Sequence, residues 1–373
     1  MRVAIIVPMM MACLALAPGP VRAAAAAASG TAATEIGMRD GAAYRIDIPA
    51  RWNRGLVVFF HGYSVEPVVF RDGERLSPMF DPLLDKGFAV IQSAYSATGW
   101  AVEQGAADTE RLRRYFVARH GPPTRTFAMG MSMGGTLTVM AIETAPRTYD
   151  GALSLCGAIE PTDAFMQRDF ALRAAFDYYV PGLLGTLVPV APDYQPTGAV
   201  VARIAAALQA KPGAYAALRA IYGAADPRSL PDVIAFITYD IKEMQQRTHG
   251  NPFGNADLVY TGPDDVFALN DGVHRYRADP AAAAYMSRWY TPSGQLLKPM
   301  LALHDSGDPL VVASTAFNYA LLAQRAGHGD HFVQQYVNAE GHCVFTPQQV
   351  GRAFDELVAW TRTGRRPGSG RLP

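Results

Sequence analysis

Residues 126–135 read Thr-Phe-Ala-Met-Gly-Met-Ser-Met-Gly-Gly, and this stretch decides the fold. An apolar run with strand character reaches Gly130, Ser132 follows inside a Gly-x-Ser-x-Gly pattern, and residues 136–141 have helical character. A serine on the turn between a strand and a helix forms a nucleophile elbow, which lifts its hydroxyl clear of the sheet. Glycine is needed at the flanking positions because side chains there would collide with neighbouring backbone. The pattern therefore predicts that Ser132 is a nucleophile, with an ordinary Gly-rich turn as the alternative.

Length and charge narrow the class of protein. The chain has 373 residues, half of them hydrophobic, and its 33 Lys and Arg balance its 33 Asp and Glu. A chain of this length can bury a large core, either as one domain with an insertion or as two domains. Zero formal charge gives no electrostatic reason to expect a nucleic-acid partner. The His and Cys residues lack zinc-type spacing, so the sequence predicts no metal site.

The N-terminus has the composition of a targeting segment. Arg2 supplies the positive charge, residues 3–18 the apolar stretch, and Val21-Arg22-Ala23 a small-x-small cleavage signal. We therefore predict a signal peptide over residues 1–23 and a periplasmic or secreted mature protein. A membrane anchor and lipoprotein cleavage at Cys13 are weaker alternatives, because the apolar stretch is short and runs past Cys13. The Ala-rich start of the mature chain is expected to be disordered.

Apolar runs of strand length alternate with helical patterns in both halves of the chain. Continuous apolar strands are typical where helices cover both faces of a sheet. The alternation predicts an α/β fold with a mostly parallel sheet flanked by helices. The expected strands are residues 43–49, 56–60, 88–93, 126–130, 152–155, 299–303 and 332–337, and the expected helices are 101–120, 136–141, 313–326 and 348–363.

A helical insertion is predicted between the two halves of the sheet domain. The sheet domain would comprise residues 24–157 and 298–373, and a cap would comprise residues 158–297. Helical spacing recurs in the cap at 165–179, 199–210, 214–222 and 230–246, and residues 251–279 are expected to be irregular. An apolar run at 179–190 is interrupted by Pro and Gly. It is either cap core or a lip that faces the substrate.

Activating a serine hydroxyl requires a base, and a carboxylate must hold that base in the right tautomer. Two predicted turns after the cap supply such residues. Residues 304–311 read His-Asp-Ser-Gly-Asp-Pro-Leu-Val, and residues 338–343 read Asn-Ala-Glu-Gly-His-Cys. Both follow the C-terminal ends of predicted parallel strands, where ligands bind in open α/β sheets. The candidates are therefore His342 as the base and either Asp305 or Asp308 as the carboxylate.

Four sequence pieces in this order resemble the α/β-hydrolase superfamily. They are His61-Gly62-Tyr63, Gly130-Met131-Ser132-Met133-Gly134, His304-x-x-x-Asp308-Pro309-x-Val311 and Gly341-His342. The resemblance spans the predicted sheet domain but not the cap. It implies that Ser132 is the nucleophile, His342 the general base and then acid, and Asp308 the orienting carboxylate. Asp305 stands where the family usually has glycine, which keeps it as a competitor to Asp308.

The resemblance also implies an oxyanion hole made of main-chain N–H groups. One donor is Met133, directly after the nucleophile, and the other is Tyr63, directly after His61-Gly62. His61 and His304 flank these turns and are expected to orient loops by hydrogen bonds. The remaining histidines lack a motif context.

Two cysteines, Cys156 and Cys343, would remain in the mature chain. Both are predicted at the catalytic edge of the sheet, and an exported protein tolerates disulfides, so we predict a Cys156–Cys343 bond over two free thiols. Some tannase and feruloyl-esterase relatives bond a cysteine after the catalytic histidine to one that precedes the serine. Met131 occupies that preceding position here, so the likeness is partial.

These features predict an exported serine hydrolase that cleaves a carboxylic ester through an acyl-enzyme and needs no cofactor. Its substrate would be a small-molecule or polymer-borne ester. A serine peptidase or amidase with the same triad is the alternative, and an aminopeptidase would need acidic cap residues to hold the substrate amine. Glu243 is the only glutamate between Pro161 and Leu297, although several aspartates are present, which favours esters. A non-catalytic binding module is disfavoured because every catalytic position is filled.

Overall fold

The computed structural model of the protein describes residues 31–223 and 229–372. The predicted signal peptide, residues 1–23, lies outside the described residues. Within them, nine strands form one sheet. The strands are β1 (Thr31–Arg39), β2 (Ala42–Pro49), β3 (Gly55–Phe60), β4 (Phe88–Ser93), β5 (Arg125–Met131), β6 (Gly151–Leu155), β7 (Met300–Gly307), β8 (Phe332–Glu340) and β9 (Gly370–Arg371).

Helices of the described residues connect the strands and form the insertion. They are α1 (Asp81–Asp85), α2 (Val102–His120), α3 (Met133–Thr144), α4 (Thr162–Tyr179), α5 (Gly198–Ala210), α6 (Pro212–Tyr222), α7 (Leu230–Thr248), α8 (Val266–Gly272), α9 (Pro280–Arg288), α10 (Ser314–Arg325) and α11 (Pro347–Thr363). None of the helices in this part of the chain combines the length and the apolar character that crossing a bilayer requires.

The strand order across the sheet is β1-β2-β4-β3-β5-β6-β7-β8-β9. The pairs β1–β2 and β2–β4 are antiparallel, and every other pair is parallel. All six residues of β3 are buried, because its side chains alternate between two apolar cores on opposite faces of the sheet. This order, with its antiparallel edge and helices on both faces, is an α/β-hydrolase fold. The predicted fold class is confirmed.

The Ala-rich residues 24–30, expected to be disordered, lie outside the described residues. Strand β1 was not predicted: it begins at Thr31 and pairs with β2 across a turn at Asp40-Gly41. This strand is held in part by Glu35, whose carboxylate accepts hydrogen bonds from the hydroxyls of Tyr44 (2.8 Å) and Tyr115 (2.6 Å). Residues 251–279 were expected to be irregular, and they are so apart from the short helix α8.

Helices α4 to α9 lie between β6 and β7, where the sequence predicted an insertion. We refer to residues 158–297 as the cap. The apolar run at 179–190 packs inside it: Leu184 is 7% exposed, Leu187 1% and Val190 3%, and all three belong to the core on the cap side of the sheet. This burial supports the cap-core interpretation of the run and counts against a lip that faces the substrate.

Candidate active site

Ser132 lies on a sharp turn between β5 and α3. Its backbone has φ 55° and ψ −126°, a conformation that non-glycine residues adopt at a cost of roughly 1–3 kcal/mol. The turn can form because its glycines let neighbouring backbone approach: a Cβ on Gly134 would lie 2.1 Å from the carbonyl oxygen of Phe60. The strand–turn–helix geometry is that of a nucleophile elbow.

The structure brings Ser132, His342 and Asp308 together. Nε2 of His342 lies 2.8 Å from Oγ of Ser132, and Nδ1 of the same ring lies 2.7 Å from Oδ2 of Asp308. The three residues come from the ends of β5, β7 and β8 and the loops that follow them. The His342 side chain is 24% exposed and that of Asp308 is fully buried, so the carboxylate is screened from water while the imidazole is accessible.

Asp308 is oriented by its own loop. Its Oδ1 accepts hydrogen bonds from the N–H groups of Leu310 (2.8 Å) and Val311 (2.9 Å), which leaves Oδ2 for His342. Two main-chain donors stabilise the ionised carboxylate and fix its plane.

The competing acid, Asp305, makes no hydrogen bond to His342. It is fully buried, and neither of its carboxylate oxygens has a partner at normal hydrogen-bond geometry. Burial, followed by the nearby charge of Asp308, raises the pKa of Asp305 to about 7, although the N–H groups of Asp305 itself and of Cys343 partly oppose this. Of the two acids, only Asp308 is placed to orient the imidazole.

The two flanking histidines hold loops, as the sequence predicted. Nδ1 of His61 lies 2.7 Å from the carbonyl oxygen of Gly62, and its ring stacks on Tyr95 with centroids 3.8 Å apart. Nε2 of His304 lies 2.7 Å from the carbonyl oxygen of Val311, beside Asp308. Burial lowers the pKa of both imidazoles, which favours their neutral forms.

The predicted oxyanion donors flank Ser132. Gly62 packs directly against the serine, since a Cβ on Gly62 would lie 3.0 Å from Cβ of Ser132. Tyr63 is the next residue, and Met133 is the first residue of α3, whose N–H has no acceptor within the helix. Neither N–H donates a hydrogen bond to another residue of the described chain.

The predicted disulfide is present. Cys156 and Cys343 are bonded, with Cα atoms 5.3 Å apart and a sequence separation of 187. Both have positive φ, 45° and 61°. The sulfur of Cys343 lies 3.4 Å from Nε2 of His342, so the bond ties the loop after β8, which carries the imidazole, to the end of β6.

These residues do not form a metal site. Among the described residues, one group of metal-ligand types lies close together: Cys156, His342 and Cys343. Both sulfurs are bonded to each other in the disulfide and offer no thiolate, and His342 is already hydrogen-bonded on both nitrogens.

Comparisons with known proteins find similarity to solved structures at low sequence identity. No protein-family profile and no curated protein sequence matches the chain. Among solved structures, it is similar to an esterase from Aspergillus oryzae (14% identity, TM-score 0.45, 87% of this chain and 78% of that one). Feruloyl esterase B from the same organism matches at 12% identity and TM-score 0.47, over 88% and 80% of the two chains. Pyrococcus horikoshii acylaminoacyl peptidase matches at 8% identity and TM-score 0.48, over 91% of this chain and 43% of that one.

Sequence analysis missed two buried acids of the cap. Asp169 on α4 and Asp240 on α7 are both buried. A signal was available in the pattern of α7, because Asp240 occurs on the same helical face as the apolar residues Val233, Ile237 and Met244. A charged residue on a buried helical face requires a compensating partner or a function.

Proposed function

We propose that the protein is an exported serine hydrolase that cleaves carboxylic esters through an acyl-enzyme, with Ser132, His342 and Asp308 as its catalytic triad. The observation that carries the proposal is the unbroken hydrogen-bond chain from Ser132 Oγ through both nitrogens of His342 to Asp308. A serine on a strained elbow beside an accessible imidazole has no evident structural purpose of its own.

Asp308 would set the tautomer of the base. As a carboxylate it accepts the Nδ1–H of His342, so Nε2 carries the lone pair and accepts the proton of the serine hydroxyl. His342 then takes that proton as Oγ attacks the ester carbonyl, and gives it to the departing alkoxide when the C–O bond breaks. Water attacks the acyl-enzyme by the same route, and Ser132 is regenerated with its proton.

The negative charge on the carbonyl oxygen would be stabilised by the N–H groups of Tyr63 and Met133. Both are main-chain donors fixed by the fold, so they need no reorganisation as the charge develops. Loss of one such donor typically costs roughly 2.7–4 kcal/mol of transition-state stabilisation. A side-chain change at Tyr63 would therefore alter the pocket while leaving its N–H in place.

Amide hydrolysis by the same triad is the second candidate. A specific observation favours it: the buried cap residue Asp169 is linked through the Tyr222 hydroxyl to the carbonyl oxygen of Leu310 in the Asp308 loop, and a carboxyl there could hold a substrate amine. The chemistry at Ser132 would be the same, with an amine as the leaving group.

Replacing Ser132 with alanine tests the proposal. The variant should fold normally and lose several orders of magnitude in kcat/KM for p-nitrophenyl acetate, because no nucleophile remains. A fluorophosphonate should label the wild-type protein once, at Ser132. Ser306→Ala, at an exposed serine near the end of β7, is the matched control and should keep its activity and labelling. Labelling at another residue of an active preparation would overturn the assignment.

A further inference from the structure

Tyr222, at the end of α6, connects the cap to the loop that carries the triad carboxylate. Its side chain is 3% exposed, and burial raises the pKa of its phenol well above the usual range, so the hydroxyl keeps its proton. The phenol oxygen lies 3.1 Å from the carbonyl oxygen of Leu310 and 3.3 Å from Oδ1 of Asp169 on α4. Tyr222 therefore contacts one oxygen of the sheet domain and one oxygen of the cap.

The Leu310 carbonyl belongs to a peptide group that orients Asp308. The C=O of Leu310 and the N–H of Val311 are the two ends of this peptide group, and the N–H donates to Oδ1 of Asp308 at 2.9 Å. The N–H of Leu310 itself donates to the same oxygen at 2.8 Å. A hydrogen bond to the carbonyl oxygen polarises the peptide and strengthens the bond that its N–H donates. The contact with Tyr222 therefore acts on Asp308 through a single peptide group.

One proton cannot serve both contacts of Tyr222. A phenol has one O–H to donate, and a main-chain carbonyl can only accept. If the hydroxyl donates to Leu310, its contact with Asp169 is a hydrogen bond only when the carboxyl is protonated and donates to the phenol oxygen. If Asp169 is ionised, it accepts from Tyr222 instead, and the Leu310 carbonyl loses this donor. Among the described residues, no other group donates to that carbonyl oxygen.

The surroundings of Asp169 favour its protonated form near neutral pH. Burial raises the pKa of Asp169 to about 7; the charge of Arg168 and the hydroxyl of Tyr222 oppose this rise, and the charge of Glu160 adds to it. Arg168 itself donates to Glu160 at 3.1 Å. From α7, Asp240 also faces this carboxyl, since the charge of Asp169 contributes to raising the pKa of Asp240. Below about pH 7, Asp169 therefore has a proton to donate to Tyr222.

We propose that Tyr222 is a positioning residue for the triad: its hydroxyl donates to the Leu310 carbonyl and thereby holds Asp308 in the orientation that the imidazole requires. Asp169, by donating to the phenol oxygen, keeps that hydroxyl directed towards Leu310. The inference rests on the proposed serine hydrolase function and makes the cap part of the catalytic apparatus. When Asp169 loses its proton, the hydroxyl turns to the carboxylate, so this contribution to activity is present below about pH 7 and is lost above it.

Removing the hydroxyl tests the positioning role. At pH 6, Tyr222→Phe should lower kcat for p-nitrophenyl acetate by roughly two- to tenfold, the factor that one net hydrogen bond supplies. KM should stay nearly constant, because acylation and deacylation use the same imidazole and should slow together. Tyr179→Phe is the matched control, since the Tyr179 hydroxyl donates to the exposed Asp265 of the cap at 2.7 Å, and it should keep the wild-type kcat. A wild-type kcat in Tyr222→Phe would overturn the proposal.

The loss caused by Tyr222→Phe should also depend on pH. At pH 9, Asp169 is ionised in the wild-type protein and has withdrawn the hydroxyl from Leu310, so the two proteins should differ less than at pH 6. The ratio of wild-type to variant kcat should therefore fall between these values, and taking the ratio removes the titration of His342 that both proteins share. A purely structural hydroxyl would give a ratio that is the same at every pH, and that result would refute the proposed role of Asp169.

Replacing Asp169 identifies the titrating group. The amide of Asp169→Asn donates to the phenol oxygen at every pH, so in this background Tyr222→Phe should reduce kcat by the same factor at pH 6 and pH 9. Asp163→Asn, at an exposed acid of the same helix, should preserve the pH dependence seen in the wild-type background. If Tyr222→Phe does not fold, Asp169→Asn alone carries the test, because its wild-type-to-variant ratio of kcat should fall from pH 6 to pH 9. A pH-dependent ratio that persists without Asp169 would overturn the assignment.

Ser132→Ala separates this inference from the catalytic one. Hydrolysis that is abolished by Ser132→Ala but unaffected by Tyr222→Phe would refute the positioning role and leave the hydrolase standing. Hydrolysis that survives Ser132→Ala would refute the proposed triad itself. Each variant is assayed well below its own melting temperature, so a lower kcat reports on the site and not on unfolding.

Discussion

The sheet edge and the cap differ in how fully their buried acids are hydrogen-bonded. Asp308 accepts three hydrogen bonds, from two main-chain N–H groups and from His342. Asp240, about as buried, has an Oδ1 without a partner at normal hydrogen-bond geometry, and Asp169 makes a single bond of 3.3 Å. The fold therefore supplies the catalytic carboxylate at the sheet edge with a full set of hydrogen bonds, whereas the two cap acids receive fewer.

This difference reflects what each region does in the proposed mechanism. Catalytic groups must be held in one geometry before the reaction, so the fold itself satisfies them. Asp305 is the exception, because it lies at the sheet edge and yet has no partner at normal geometry.

The largest effect should come from replacing Asp308, the acid at the sheet edge, with its amide. Asp308→Asn should lower kcat by roughly 10⁴-fold, the loss known when a triad carboxylate becomes an amide and the imidazole adopts the wrong tautomer. Asp305→Asn should cost far less, because Asp305 makes no hydrogen bond to His342. Steady-state kinetics of both variants with p-nitrophenyl acetate measure this contrast. A reversed result would mean that Asp305 is the catalytic carboxylate.

The disulfide should produce the next largest effect, on stability and activity together. It closes a loop of 187 residues, which in the chain-entropy model stabilises the fold by up to about 5 kcal/mol. Because Cys343 also contacts His342, we expect a Cys156→Ala, Cys343→Ala double variant to melt at a lower temperature and to have a reduced kcat. Thermal melts and kinetics of the variant, with reduced wild type beside it, test both expectations. A lower melting temperature with unchanged kcat would limit the bond to a structural role.

The sheet edge could be predicted from the sequence because its parts are local. The glycines around Ser132, the loop that contains Asp308 and the Gly-His pair at 341–342 each belong to one turn at one strand end. Parallel strands carry their C-terminal ends to the same edge, so the order of strands is enough to bring these turns together. The cysteine pair followed from the same reasoning.

The cap face could not be predicted in this way. Asp169, Tyr222 and Asp240 come from three helices, and their proximity depends on how those helices cross. The glutamate count of residues 161–297 favoured esters, but that count did not consider the buried aspartates Asp169 and Asp240. Strand β1 was missed because an Ala- and Thr-rich terminus shows no strand periodicity, and its register is set by pairing with β2.

A smaller effect should follow from removing apolar volume in the cap. Leu187 is 1% exposed in the cap core, so Leu187→Ala should destabilise the protein by about 2–5 kcal/mol through lost burial and a residual cavity. Leu297→Ala, at a residue that is 53% exposed, is the matched control and should have little effect. Urea denaturation measures both. If Leu187→Ala instead leaves stability unchanged and raises KM for long-chain esters, the run at 179–190 faces the substrate after all.

The smallest effect concerns Asp305, whose pKa is raised to about 7 by burial. The unfolded chain releases the proton of this carboxyl near pH 4 and the folded protein retains it until about pH 7, so the folded state binds the extra proton between these values. Stability therefore decreases as pH rises through that window, by up to about 4 kcal/mol in total, and levels off above it. In Asp305→Asn this loss is absent, because the amide does not titrate.

The melting temperature of Asp305→Asn minus that of wild type should increase from pH 4 to pH 7 and should not change further at pH 8. Asp163→Asn, at an exposed residue of α4, controls for the change in formal charge and should give a difference that does not grow in this window. If the difference for Asp305→Asn is also independent of pH, the carboxyl is ionised throughout and has a partner, most directly the N–H of Cys343. In that case every buried acid discussed at the sheet edge would have a hydrogen-bond partner, and Asp305 would no longer be an exception.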